Sequence, residues 1–205
     1  YGNPARCAQL ALISASGKYI TWGSDDCLYK DMTLRMALDF LSSKTSNKKN
    51  VISFVYTEGC SRFPFDSWYI NRWPPNPPGD VISPYVPDDY ILIMNGMLLT
   101  DYLIDIGGWD CRFEAWAMGN VDLGIRLQRD GANAEIFPNY IMECSHLPGE
   151  IGDHTPIHQA QLGNDIPLFL KTYLDPSCTN RTVISIDNWK QQPDVWLKRF
   201  NPDGS

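Results

Sequence analysis

The chain has 205 residues, 43% of them hydrophobic and 20% charged, which fits one globular domain with or without a tail. Its formal charge is −7 and its pI about 4.8. That balance argues against a nucleic-acid binder, which carries a basic face. It also leaves any anionic ligand to be met locally, by a metal ion or a few arginines. No apolar run reaches the ~18 residues of a membrane span. No signal peptide is evident. A cytoplasmic protein is expected, with a membrane-associated or secretory-lumen one as the alternative.

Asn3-Pro4 predicts a helix start, because Asn accepts from first-turn amides and Pro has no amide to leave unpaired. The helix runs on from Ala5, with Gly17 as its C-cap. Lys18 to Trp22 alternates like a strand and enters the acidic turn Gly23-Ser24-Asp25-Asp26. Asp31 is expected to cap a second helix with Leu34, Leu38 and Leu41 on one face. Ser42 to Asn50 reads as a loop and Val51 to Tyr56 as a buried strand. Residues 59–89 hold seven prolines, with Trp68, Tyr69 and Trp73 among them. A loop of that length is either functional or a surface excursion pinned by its own aromatics.

Tyr90 to Met94 reads as a strand, and Leu99 to Ile106 as a short helix ending at Gly107-Gly108. A helix capped by Asn120 is expected to run through Leu127 and stop at Gly131, followed by a short strand, Ala134 to Phe137. The end of the chain reads as a hairpin or arm. Strands alternating with helices predict an α/β sandwich with a mostly parallel sheet. Residues 1–150 would form its core and 151–205 an extension packed on it. The six cysteines lie scattered without a CxxC pair, which suits free, buried thiols in a reducing compartment better than a zinc site. The sequon Asn180-Arg181-Thr182 points the other way.

Three places could carry chemistry. Asp25 and Asp26 are adjacent acids after a strand, where ligands bind in open α/β sheets. Their mutual repulsion is relieved by a cation such as Mg²⁺ or Mn²⁺ bridging to phosphate oxygens, although a plain turn and helix cap would explain them as well. The block from Gly107 to Gly131 holds Trp109, Asp110, Glu114, Trp116 and Asp122. Asp122 stands four residues before Arg126, so a helical ion pair competes with a functional role. His146, His154 and His158 cluster after a strand-like YIMEC run, and imidazole can ligate Mn²⁺.

In order and spacing these segments resemble the nucleotide-diphospho-sugar transferases of glycosyltransferase family 2, with the GT-A fold. The stretch ARCAQLALISASGKYITWGSDDCLY looks like that family's helix, strand and DxD-type segment. GGWDCRFE followed by DLGIRLQRDG looks like its GG(F/W)D and DLxxRLxxxG blocks, and PNYIMECSHLPG like its closing strand. The resemblance covers about residues 3–150. It implies a Rossmann-like, mostly parallel sheet sandwiched by helices, with the family's N-terminal strand region lying outside this chain.

The resemblance also implies an activity: inverting transfer of a sugar from a nucleotide-diphosphate donor to a carbohydrate or glycoconjugate acceptor, with Mn²⁺ or Mg²⁺ as cofactor. Arg6, Asp25 and Asp26 would meet the donor, Asp26 and His146 the metal, and Trp109, Asp110 and Trp116 the acceptor. Trp73, with Trp68, would add a sugar-stacking surface from the proline-rich loop. Two departures stand out. Gly23 occupies the first acidic position of the DxD, and Asn120 the family's catalytic base. Asn120 cannot take a proton, so Asp122 or Glu114 must serve instead. The rival readings are a non-catalytic carbohydrate- or nucleotide-binding domain, for which Gly23 and Asn120 speak, and a metal-dependent nucleotidyltransferase or sugar-nucleotide hydrolase.

Overall fold

The structure is a computed structural model that describes residues 3–23, 27–44, 47–58, 90–144, 159–174 and 181–191. Helix α1 spans Pro4–Ser14, and Asn3 caps it by accepting from the Arg6 amide at 3.1 Å. The same Asn3 donates to the Phe113 carbonyl, tying the helix start to a distant turn. The helix ends at Ser14, short of Gly17, whose carbonyl accepts from Thr100 Oγ1.

The strands are β1 (Tyr19–Trp22), β2 (Cys27–Tyr29), β3 (Asn50–Glu58), β4 (Gly96–Leu99) and β5 (Asn133–Cys144). They form one sheet in the order β1-β4-β3-β5-β2. Among the described strands only β3 and β5 run parallel; the β1–β4, β4–β3 and β5–β2 pairings are antiparallel. This corrects the expected mostly parallel, Rossmann-like GT-A sheet. Alternation of elements along a sequence counts them without fixing their directions. Here β1 and β2, consecutive in the chain, lie on opposite edges, and no pair of sequence neighbours among the strands forms a parallel crossover unit.

Two strands differ in extent from the sequence expectation. The aliphatic run at Tyr90 to Met94 is not a ladder strand; Ile91 makes an isolated bridge, Ile93 is completely buried, and the strand itself begins at Gly96. Gly96 is needed there, because a Cβ would stand 2.5 Å from the Ile52 carbonyl oxygen. Strand β5 is longer than expected and runs through Pro138. Its register against β3 slips around Val55, opposite the stretch containing Pro138, whose missing amide suits an irregular position.

Helix α2 (Thr33–Ser43) starts after Met32, which has φ 62° and no side-chain cap, so Asp31 does not cap it. Its buried line is Thr33, Ala37 and Leu41, leaving the expected core residue Leu34 exposed. Helix α3 is Thr100–Asp105, and α4 is Trp116–Arg129. Because α4 begins four residues before Asn120, that residue sits inside the helix and does not cap it. Gly131, at φ 83°, follows its C-terminus as expected. Helix α5 (Ile166–Leu174) continues from a π-helical turn, Gln161–Asp165, and a 3₁₀ turn spans Asn188–Gln191.

Period-2 alternation divides the core between the two faces of the sheet. Val51 and Leu98 pack with Leu12, Trp22, Leu103, Leu123 and Leu127, beneath α1, α3 and α4. Their neighbours Ile52 and Met97 pack on the other face with Ala37, Leu41, Phe54 and Phe137, beneath α2. A third cluster joins Phe169 and Tyr173 of α5 to Met118, Val121 and Ile125 of α4. Helix α4 is therefore covered on both sides, and every residue from Met118 to Leu127 is buried. Among the described residues, no helix is long and apolar enough to cross a membrane.

Candidate functional site

Three tryptophans meet where β1 ends. The Trp22 ring sits edge-on to Trp109, with centroids 5.5 Å apart at 84°. Trp109 in turn stacks on Trp116 at 5.8 Å and 20°. Trp22 and Trp109 are buried, and Trp116 alone of the three is partly exposed. Trp109, expected to line an acceptor, is thus the support on which Trp116 rests. Its indole N–H donates to Asn120 Oδ1 at 3.0 Å. The turn beneath it needs glycine: Gly107 and Gly108 have φ of 91° and 68°, and a Cβ on Gly108 would lie 2.1 Å from Gln9 Oε1.

Around this stack several polar atoms are sealed from water without a hydrogen-bond partner among the described residues: Asn95 Oδ1, Trp116 Nε1 and Asn120 Nδ2. Such atoms are costly unless a ligand or water meets them. Asn95 is 3% exposed and lies beside Gly23, whose Cβ, were there one, would stand 3.8 Å from Asn95 Oδ1. Asn95 was not anticipated from sequence; only its place before Gly96 distinguishes it.

The expected acids behave differently from one another. Asp122 is fully buried. Its Oδ2 accepts from Arg126 Nε at 2.8 Å, and its Oδ1 accepts from Tyr173 Oη at 2.7 Å and from Arg181. Arg126, also fully buried, donates further to the carbonyls of Ile106 and Gly108. Asp110 accepts from Arg112 at 2.7 Å and from Arg181. Burial pushes the Asp110 carboxyl up, but the two arginines outweigh it and hold the group below its ordinary value. Burial acts against the charge on Arg181 too, yet Asp122 and Asp110 raise its pKa above the ordinary value. Burial beside Asp122 raises the Tyr173 hydroxyl well above its usual range. Both carboxylates thus belong to a buried charge cluster that fixes α4 to its surroundings. Arg181 completes it, and as the middle of a sequon it gave no hint of that role.

Glu114 is half-buried in the turn before α4, and its backbone amide donates to Asp165. Asp165 anchors the turn that leads into α4 by accepting from Glu114 N at 2.8 Å and Ala115 N at 2.6 Å. Burial raises its carboxyl to about 6, against the lowering pull of the Ala115 amide and the Asn164 side chain. Arg6 lies on α1 near the same turn, close enough to act on the Cys111 thiol. That thiol is pushed up to about 12, by burial first and by Asp110 second.

Asp25, Asp26, Trp68, Trp73, His146, His154 and His158 lie outside the described residues. Among the described residues no group of three His, Cys, Asp or Glu side chains converges to hold a metal ion. One described atom does suit a hard cation or its water shell: the unpartnered Asn95 carbonyl oxygen beside the strand end that leads to Asp25. No family model matches the chain, and no curated protein matches it in sequence. The likeness to glycosyltransferase family 2 therefore rests on its motifs.

Proposed function

We propose that this chain moves a sugar from a nucleotide-diphosphate donor to an acceptor hydroxyl. One observation carries the reading: a partly exposed indole, Trp116, shares the end of β1 with three buried polar atoms that lack partners, on Asn95, Trp116 and Asn120. An indole face with fixed hydrogen-bonding groups suits a sugar, whose C–H face is apolar and whose rim is polar. The motif order supports the donor side, with Asp25 and Asp26 following directly on that strand end.

In this proposal the acceptor oxygen attacks the anomeric carbon and its proton passes to a carboxylate. The bond from that carbon to the diphosphate breaks, and the nucleoside diphosphate leaves. Glu114 is the carboxylate assigned as base, because Asp122 is fully buried and enclosed by Arg126, Arg181 and Tyr173. Asp26 and His146 would hold Mn²⁺ or Mg²⁺, which supplies charge neutralisation at the leaving diphosphate.

The test is a thermal-shift screen of UDP-, GDP- and dTDP-sugars with Mn²⁺, followed by product analysis. A donor at a hundredfold excess over its Kd stabilises the fold by about 2.7 kcal/mol. The expected result is a Mn²⁺-dependent shift that Asp26→Asn removes, and turnover that Glu114→Gln slows by about 10²–10⁴. No shift from any donor overturns the reading. A second reading, sugar binding without transfer, is favoured by the amide at Asn120 and the enclosed Asp122. Binding of donor and acceptor with no product would establish it.

A further inference from the structure

We infer that Trp116 and Asn120 together bind an oxygen that accepts hydrogen bonds and donates none: a carboxylate or an amide carbonyl carried by the sugar acceptor. The inference rests on the sugar-transfer reading and names the chemical group that its acceptor side selects.

The two residues are four apart in α4, so their side chains lie one turn apart on the same face. An indole N–H can only donate, so Trp109 must face the oxygen of the Asn120 amide. That fixes the amide's orientation and leaves Nδ2 as the free, donating end. Asn120 is fully buried, so this donor has no solvent to fall back on. Trp116 presents a second donor, Nε1, also sealed and unpartnered. Its ring is held by stacking on Trp109, which Trp22 braces from its edge. The pair is thus positioned before any ligand arrives.

Both atoms are donors, and the amide oxygen beside them, Asn120 Oδ1, already accepts from Trp109. A sugar hydroxyl placed here would meet both donors only through its oxygen and would have to send its own hydrogen to a separate acceptor. An acceptor-only oxygen satisfies both donors and creates no new unpaired group. Charge does not oppose this, because the nearby Asp110 and Asp122 are each paired with arginines. Both donors are sealed in this conformation, so a ligand would reach them by a shift of the Trp116 side chain, the partly exposed member of the stack.

The experiment uses the full chain and three monosaccharides: D-glucose, D-glucuronate and N-acetyl-D-glucosamine. Affinities are read by ligand-observed NMR for the wild type, Trp116→Phe and Asn120→Asp. Trp116→Phe keeps an aromatic ring and removes the N–H. Asn120→Asp keeps an oxygen for Trp109 and turns the donor into an acceptor. The expected result is about tenfold tighter binding of glucuronate or of the N-acetyl sugar than of glucose, with that preference reduced to about threefold or less in each variant. Which of the two sugars is preferred tells carboxylate from amide carbonyl. Equal affinity for all three, no binding of any, or a preference that survives both substitutions overturns the inference. So does a loss of stability in the variants with no ligand preference in the wild type, which marks the pair as the seat of an internal water. The donor screen runs in parallel and separates the two claims: donor turnover without this preference sinks the present inference alone, and the preference without any donor binding sinks the transfer reading alone.

Discussion

Asp122→Asn separates a structural from a catalytic role at one of the two acids that the sequence offers as base. The substitution keeps shape and removes charge from a carboxylate that is 0% exposed. It leaves Arg126, equally buried, without its anionic partner and places an NH₂ group among donors from Arg126, Arg181 and Tyr173. Breaking a buried ion pair from one side typically costs about 3–5 kcal/mol. Here the lower end applies. Arg126 keeps the carbonyls of Ile106 and Gly108, and Arg181 keeps Asp110. A loss of about 3 kcal/mol in a chain of 205 residues lowers Tm by roughly 6–12 °C. Urea unfolding and thermal melts followed by circular dichroism measure it. A double-mutant cycle of Asp122→Asn with Arg181→Gln should show coupling of about 1 kcal/mol or more, since the two share a bond. A variant with wild-type Tm and a steep loss of kcat would refute the argument and restore Asp122 as the base.

Other expectations follow from the same geometry. Asp165 has a folded pKa of about 6, raised by burial, so the native state holds its proton more tightly than the unfolded chain. Its contribution to stability should therefore fall as pH rises from the ordinary carboxylate range to about 6 and stay flat above, and Asp165→Asn should remove that slope; a ¹³C carboxyl titration near 4 would contradict this. Asp110 has the opposite sign: its depressed pKa gives stability that is present at neutral pH and lost as pH falls below the ordinary carboxylate value, and Asp110→Asn should flatten the acid limb of the stability curve. Gly108→Ala should cost well over ~2 kcal/mol, because it combines a positive φ with a 2.1 Å clash against Gln9, whereas Gly131→Ala, at positive φ but in open space, should cost about 1 kcal/mol; equal losses in urea unfolding would show that backbone strain alone governs both sites.

Much of the local structure was legible in the sequence. Asn3-Pro4, the Gly107-Gly108 turn and Gly131 mark boundaries through local chemistry, and the structure uses each at its place. Strand direction was not legible, because periodicity records which face a residue takes and carries nothing about its partner. The YILIM run shows the limit: burial made it apolar, and apolar looked like strand. At the site, Trp109, Trp116 and Asn120 could be picked out by type, whereas Trp22 read only as the end of a strand. The partners of Asp110 and Asp122 could not, since Arg181 and Tyr173 are brought to them from 59 and 51 residues beyond Asp122.

Those distant partners explain why the end of the chain matters to the site. Arg181 bridges Asp110 and Asp122. The Ile184 amide donates to the Ile106 carbonyl, and Gln9 Nε2 donates to both the Gly107 and Ile186 carbonyls. Asn188 accepts from the Cys111 amide and donates to the Trp109 carbonyl at 3.0 Å. The turn from Gly107 to Arg112 is thus gripped from behind by residues 181–188 and from α1, and from the front by α4. A loop carrying two positive-φ glycines is intrinsically free to move, and ordering it costs entropy. Multiple anchors on its backbone meet that cost within the fold, before any ligand binds. The orientation of Trp109 follows, and through Trp109 the positions of Trp116 and the Asn120 amide. At the proposed acceptor site, a donor pair fixed in this way would not itself have to be ordered on binding, which lowers the entropic cost of holding a ligand.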